Sequence, residues 1–252
     1  LLWNECLKIV NKRIFILSHI GFIVMTVLFS WAYTSNLKAD DTVAQMVNAL
    51  LGLSGMLVIL PWAIVLSPLI WTDEYQYGTL KQLFLHTSSR SRLYVAKIAA
   101  MILLIITGAV NIFIVSLLVN PLMAPTNIQW GDMMDVIYSI GAIVLQCCLY
   151  ASLASLIGVW TRSAAIAVGS SLVLYFLQMI FGGSLLSTSW THILFIHHDD
   201  LSVYWSTSQY KSELVGLPMS LAIDIAYILL FFAIGLWLFV KERGGRLNIK
   251  RS

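Results

Sequence analysis

The chain has 252 residues, is 59% hydrophobic and only 11% charged, and has a mean hydropathy of +0.85. A soluble domain is about 45–50% apolar and about 25% charged, so this composition excludes an ordinary water-soluble enzyme, a disordered chain and a nucleic-acid-binding domain. The apolar runs are continuous rather than alternating, which excludes a membrane β-barrel, and Cys6, Cys147 and Cys148 make no disulfide framework.

Residues 1–13 come first and read as an amphipathic helix. Asn4, Lys8, Asn11 and Lys12 fall on one face, while Leu2, Trp3, Leu7 and Val10 lie largely away from it. Such a helix lies in the membrane interface with its basic groups toward anionic lipid. A membrane-crossing helix needs about 20 mostly apolar residues. Six runs qualify: Ile14–Tyr33, Val47–Trp71, Leu93–Val119, Val136–Trp160, Ala164–Ser187 and Pro218–Val240. Within a bilayer every backbone polar group must bond internally, so each run is a helix. Ser30-x-Ala32 resembles a signal-peptidase site, but the span before it opens a series and is read as an anchor. Pro61 and Pro68 are expected to kink or hinge the second span. Ala151/Ser155 and Ala154/Gly158 in the fourth span, and Ala165/Gly169 in the fifth, are small-xxx-small pairs suited to close helix packing.

Charge fixes the orientation. With the N-terminus inside, 13 of the 15 Lys and Arg residues fall in cytoplasmic segments, and only Lys38 and Lys211 lie outside. That asymmetry is the positive-inside pattern. The expected fold is therefore an all-α membrane protein of six transmembrane helices, a single transmembrane domain with both termini cytoplasmic and an outer segment at 188–217.

No nucleotide-binding GxxxxGK[ST], HExxH, CxxC or GxSxG motif occurs. The chain is accordingly expected to be non-catalytic and to carry no cofactor of its own. Asp224 is the one carboxylate well inside a span, roughly 9 Å below the start of its helix at Pro218. An intramembrane acid is a candidate for a substrate path. His19 reads as a hydrogen-bonded interior residue. His197-His198-Asp199-Asp200 offers four potential metal ligands in a row; in a helix they point about 100° apart and cannot share one ion, and in a loop they could, but no second ligand group lies nearby in sequence, so the run reads as a polar outer loop.

The loop between the second and third spans, residues 72–92, is the most informative. Gly78 can break the helix and Thr79 can cap the next. Leu80, Leu83 and Phe84 then recur at helical spacing, and Thr87-Ser88-Ser89 ends the short helix ahead of Arg90, Arg92 and Lys97. An exposed apolar stripe needs a partner. Asp73 and Glu74 suit pairing with a basic protein surface better than contact with anionic lipid.

Glu74-x-x-x-Gly78-Thr79-Leu80, followed by Ser89-Arg90-x-Arg92 and Lys97, resembles the signature of ABC type-2 permeases. Thr87-Ser88 stands where a proline often precedes the Ser-Arg pair. The resemblance extends to the span count and length. It implies the transmembrane subunit of an ABC exporter of the type V fold, driven by a separate cytoplasmic ATPase subunit that holds the ATP and Mg. Residues 78–85 would be the coupling helix seated in that ATPase, braced by Glu74 against Arg90 or Arg92. Thr161-Arg162-Ser163 would make a second contact. A second permease, identical or related, would pair with this one in a bacterial cytoplasmic membrane. Gly182–Gly216 would hold a re-entrant outer element capped by Phe181, Trp190, Phe195, Tyr204 and Trp205. The scarcity of intramembrane charge favours an amphipathic or hydrophobic cargo: a peptide, a lipid-like molecule or a drug. The compact size is similar to that of peptide-export and peptide-immunity permeases. The alternatives are a secondary transporter or channel, which calls for more intramembrane charge, and a polytopic membrane enzyme, which calls for paired catalytic groups.

Overall fold

Long apolar runs with few breakers leave the backbone one way to satisfy itself, and every regular element among the described residues is a helix. The computed structural model describes residues 2–11, 13–34, 42–78, 89–123, 133–185, 194–195, 198, 201 and 216–241. The helices are α1 (Leu2–Val10), α2 (Arg13–Thr34), α3 (Val43–Ser54), α4 (Leu60–Gln76), α5 (Arg90–Met123), α6 (Met134–Thr161), α7 (Ala164–Leu185) and α8 (Leu217–Lys241).

Five stretches are long and apolar enough to cross a membrane: Arg13–Thr34, Val43–Gln76, Arg90–Met123, Met134–Thr161 and Leu217–Lys241. The fifth expected span, 164–187, corresponds to α7, a 22-residue helix over Ala164–Leu185 that is not among these five. The second span begins four residues earlier than the hydropathy suggests, because Thr42 caps it. The Thr42 hydroxyl accepts from the Gln45 N–H at 3.3 Å, and the Gln45 side chain accepts from the Thr42 N–H at 2.8 Å. This reciprocal pair satisfies donors that a helix start otherwise leaves open.

The second span is not one α-helix. Between α3 and α4 the chain widens into a π-helical turn over Gly55–Ile59, where the Leu60 N–H donates to the Gly55 carbonyl, five residues back. Pro61 follows at once, so the proline expected to hinge this span does coincide with a break in its helical register. Pro68 lies inside α4 without ending it.

Packing places α6 at the centre. It lies against α3, α4, α5, α7 and α8, and Ala151, Ala154, Ser155 and Gly158 are all buried. A face of small residues lets neighbouring backbones come close. The corresponding expectation for α7 is corrected: Ala165 and Gly169 face outward, and Ala167 and Ser171 are the buried residues. The outer surfaces of the spans are apolar, for example Ile16, Leu17 and Trp31 on α2, and Leu229 and Trp237 on α8. In water such a surface would aggregate; in a bilayer it meets lipid. This is a multi-pass membrane protein.

Candidate functional site: a buried charge cage

One end of the bundle gathers Lys8, Arg90, Lys97, Arg162 and Lys241, and is called here the basic end. Within it, α1 packs along α5. The helix presents Glu5 and Ile9 inward and leaves Leu2, Trp3, Leu7 and Val10 exposed. Its apolar face thus points away from the bundle, as an interfacial helix requires, while its acid points in.

Glu5 meets the Lys97 ammonium, which is 1% exposed. Lys97 Nζ donates to Glu5 Oε2 at 3.0 Å, to Glu74 Oε1 at 2.7 Å and to the Ile70 carbonyl at 3.0 Å. An ammonium has three hydrogens, and all three are used. Lys8 closes the cage, donating to Glu5 Oε1 at 2.7 Å and Glu74 Oε1 at 3.3 Å. Two acids and two bases leave it formally neutral. Its floor is aromatic: Lys97 sits 5.6 Å from the Trp71 ring centroid, and Trp71, Tyr94 and Phe239 pack against one another at 4.7–5.6 Å.

Burial by itself would raise the Glu5 pKa, but Lys97 and Lys8 together outweigh it and hold the carboxyl below its ordinary 4.5. Burial would lower the Lys8 pKa, but Glu5 and Glu74 outweigh it and lift the ammonium above 10.5. A carboxyl depressed by folding contributes stability above its unfolded pKa and loses it as pH falls through the folded one; a raised lysine contributes below its unfolded pKa and loses it as pH rises through the folded one. Docking of α1 is therefore expected to be flat between about pH 5 and pH 10 and to weaken below about pH 4. A nitroxide on Cys6 should become mobile there, and unchanged mobility down to pH 3 would show that Glu5 does not hold α1.

The cage lies at the feet of the loop singled out in the sequence. Glu74 is on α4, two residues before its end, and Lys97 is in the third turn of α5. After α4 the chain turns at Gly78, which has φ +66°, a left-handed conformation that glycine enters without penalty and that commonly ends helices. Ser89 starts α5, accepting the Arg92 N–H on its hydroxyl at 3.4 Å. Thr79, Leu80, Leu83 and Phe84 lie outside the described residues. The brace implied for Glu74 is corrected: its partners are Lys97 and Lys8. Arg90 instead donates to the Val240 carbonyl of α8 at 3.3 Å, and Arg92 is exposed. Arg162 closes α6 with φ 56° and sits 5.7 Å over the Tyr75 ring at the foot of α4.

At the opposite end, Asp224 is buried, 1% exposed. Ser220, one turn away on α8, meets His198 Nδ1 at 2.7 Å. Two features kept apart in the sequence, the His/Asp run and the intramembrane acid, therefore converge on one helix. His197, Asp199 and Asp200 lie outside the described residues, as does most of the predicted re-entrant element. Of its aromatic cap, Phe195 is described, and packs on Tyr150, Tyr227 and Phe231 at 5.3–6.1 Å. His19 hydrogen-bonds the Phe15 carbonyl at 3.0 Å through Nδ1, the interior role expected of it.

A family model described as an ABC-2 family transporter protein matches residues 1–178. The chain belongs to the ABC-2 transporter family. The matched region contains α1, the charge cage, the loop at 79–88 and Arg162, so the cage and the loop it brackets both lie in the part of the chain that defines the ABC-2 family. No curated protein sequence matches the chain significantly. Glu5 was not singled out from sequence, and Lys97 entered only as the basic residue that closes the family signature, not as the partner of Glu74. The available signal was a lysine seven residues past the Arg90 that begins α5, at a depth where an unpaired charge is costly.

Proposed function

We propose that this ABC-2 protein is the permease subunit of an ATP-driven exporter that moves an amphipathic or hydrophobic cargo out of the cytoplasm. The observation that carries the reading is the Lys97–Glu74 pair at 2.7 Å. It ties together the two helices that flank residues 79–88, so a pull on that loop is delivered to α4 and α5 as one unit. In this reading the basic end is cytoplasmic, α7 completes six spans, and both termini lie inside. The loop seats Leu80, Leu83 and Phe84 in a cleft of a separate ATPase subunit that supplies the ATP and Mg chemistry. Arg162 is a smaller second contact.

Closure of two ATPase subunits on ATP would draw the paired feet of α4 and α5 together with α1, which the cage binds to both. A bundle whose two states differ by a few kcal/mol switches under such a bias. A second permease, identical or related, would complete the path between them. The cell membrane of a bacterium is the proposed setting. The apolar and aromatic character of the spans favours a peptide, lipid-like molecule or drug over a small ion, and Asp224 is the one acid positioned to meet such a cargo's polar group.

The test is co-purification of the permease with its ATPase subunit. Leu83→Glu with Phe84→Glu is expected to lose the bound ATPase and its cargo-stimulated turnover while leaving the permease folded. An ATPase that stays bound and stimulated overturns the assignment of the loop.

A further inference from the structure

The π-turn in the second span has a defect that another helix repairs. Leu60 closes the π-turn, its N–H reaching the Gly55 carbonyl five residues back, and the α-helical register, four residues back, resumes in α4. The change of register passes over the Met56 carbonyl, which only one further π rung, from residue 61, would reach. Residue 61 is proline, which has no N–H. A carbonyl left without a donor deep in a membrane protein is costly. Here the Tyr175 hydroxyl on α7 donates to the Met56 carbonyl at 2.8 Å. Tyr175 is 2% exposed, and its ring is held edge-on by Tyr150 at 5.5 Å.

We infer that Tyr175 is a positioning residue for transport: its hydroxyl supplies the donor that the change of register and Pro61 together leave the Met56 carbonyl without, and so sets the angle between the two halves of the second span. This rests on the function proposed above only for what the angle is used for. The outer half, α3, packs against α5 and α6. The inner half, α4, carries Glu74 and the foot of the loop. Its 17 residues make a lever about 25 Å long. A bend of about 20° at the π-turn, the size at which helix kinks become sharp, swings its tip by roughly 9 Å. Tyr175 also sits at one end of a line of rings, since Tyr150 contacts Phe195 at 6.0 Å and Phe195 contacts Tyr227 on α8 at 5.3 Å. The hinge is thereby in contact with the segment that precedes the last span.

The test measures the angle directly. Nitroxides are placed at Ile14 and Tyr77, which are 49% and 79% exposed, in the full chain with Cys6→Ser, in nanodiscs without nucleotide. The parent is expected to give one narrow distance. Tyr175→Phe, which keeps the ring and removes the hydroxyl, is expected to add a second population several ångströms away. Adding Pro61→Ala supplies a backbone N–H that can extend the π-turn by one rung onto the Met56 carbonyl and should return the single distance, a rescue that a purely space-filling role for Tyr175 would not show. An unchanged distribution in Tyr175→Phe, or a double variant that stays divided, overturns the inference. If Tyr175→Phe fails to fold, the double variant still decides, since a restored donor should make the hydroxyl dispensable; failure of the double while Pro61→Ala alone folds also overturns it. In the complex with the ATPase, transport per ATP should fall about fivefold in Tyr175→Phe, the factor set by one net hydrogen bond. Absence of ATP-driven transport in the parent complex would count against the exporter reading, whereas the distance measurement bears on the hinge alone.

Discussion

Lys97→Met is expected to lower the unfolding free energy by about 3–5 kcal/mol, the usual cost of removing one partner from a buried ion pair. The reason lies in what stays behind. Glu5 is 4% and Glu74 8% exposed, and without Lys97 both would face each other with only Lys8 to balance them. The Lys8 side chain is about half exposed, at 48%, so solvent screens much of its pull. The two acids would then take up a proton or drive α1 off the bundle. Lys97→Arg should not rescue, because a planar guanidinium cannot direct donors at three acceptors arranged around one nitrogen. The triple variant Glu5→Gln, Glu74→Gln, Lys97→Met should recover most of the loss, since it leaves no buried charge and only Lys8, half in solvent, without its acids. Denaturant unfolding of the purified permease reads all three. A Lys97→Met variant within about 1 kcal/mol of the parent, in the range of an exposed pair, would mean that the cage does not hold the feet of α4 and α5 together.

The sequence carried the architecture because membrane helices announce themselves by run length. The runs at 14–33, 93–119, 136–160 and 218–240 each fall within or along a long helix. Pro61 signalled a hinge for a local reason, the missing N–H, and the π-turn closes on the residue just before it. The cage was only half legible. Glu74 and Gly78 stood out because they belong to a local pattern, but Glu5 is 92 residues from Lys97, and nothing local says which face of α1 meets α5. The amphipathic reading of α1 put its polar face toward lipid headgroups. In the structure the face carrying Glu5 is the one that turns inward, because a buried hydrogen bond from Lys97 and a half-buried one from Lys8 outweigh what a carboxylate gains beside anionic lipid. The small residues of α7 failed for the same reason. Ala165/Gly169 and Ala167/Ser171 have equal spacing, and only tertiary packing tells which pair is buried.

Gly158→Ala and Gly158→Val are expected to destabilise the permease progressively, by about 1 to 3 kcal/mol. A Cβ built on Gly158 would lie 2.9 Å from the Pro68 Cβ and 3.3 Å from the Pro68 Cα. Both atoms belong to a rigid ring on the α4 backbone, so no rotamer change relieves the contact and the helices must part. Opposing this is the gain of up to about 1 kcal/mol from replacing a mid-helix glycine. The steric term is the larger, and for valine it grows while the propensity gain shrinks, so the order Gly158 above Ala above Val tests the balance. Gly169 and Gly141 supply the control: both are exposed, and a Cβ on either meets nothing within 4 Å. Gly169→Ala and Gly141→Ala should therefore be neutral or stabilising by up to about 1 kcal/mol. Thermal unfolding in detergent distinguishes the two groups. If Gly158→Ala behaves like Gly169→Ala, then α4 and α6 do not pack as closely as the structure has them, and the foot of α4 is freer to move without carrying α6 along.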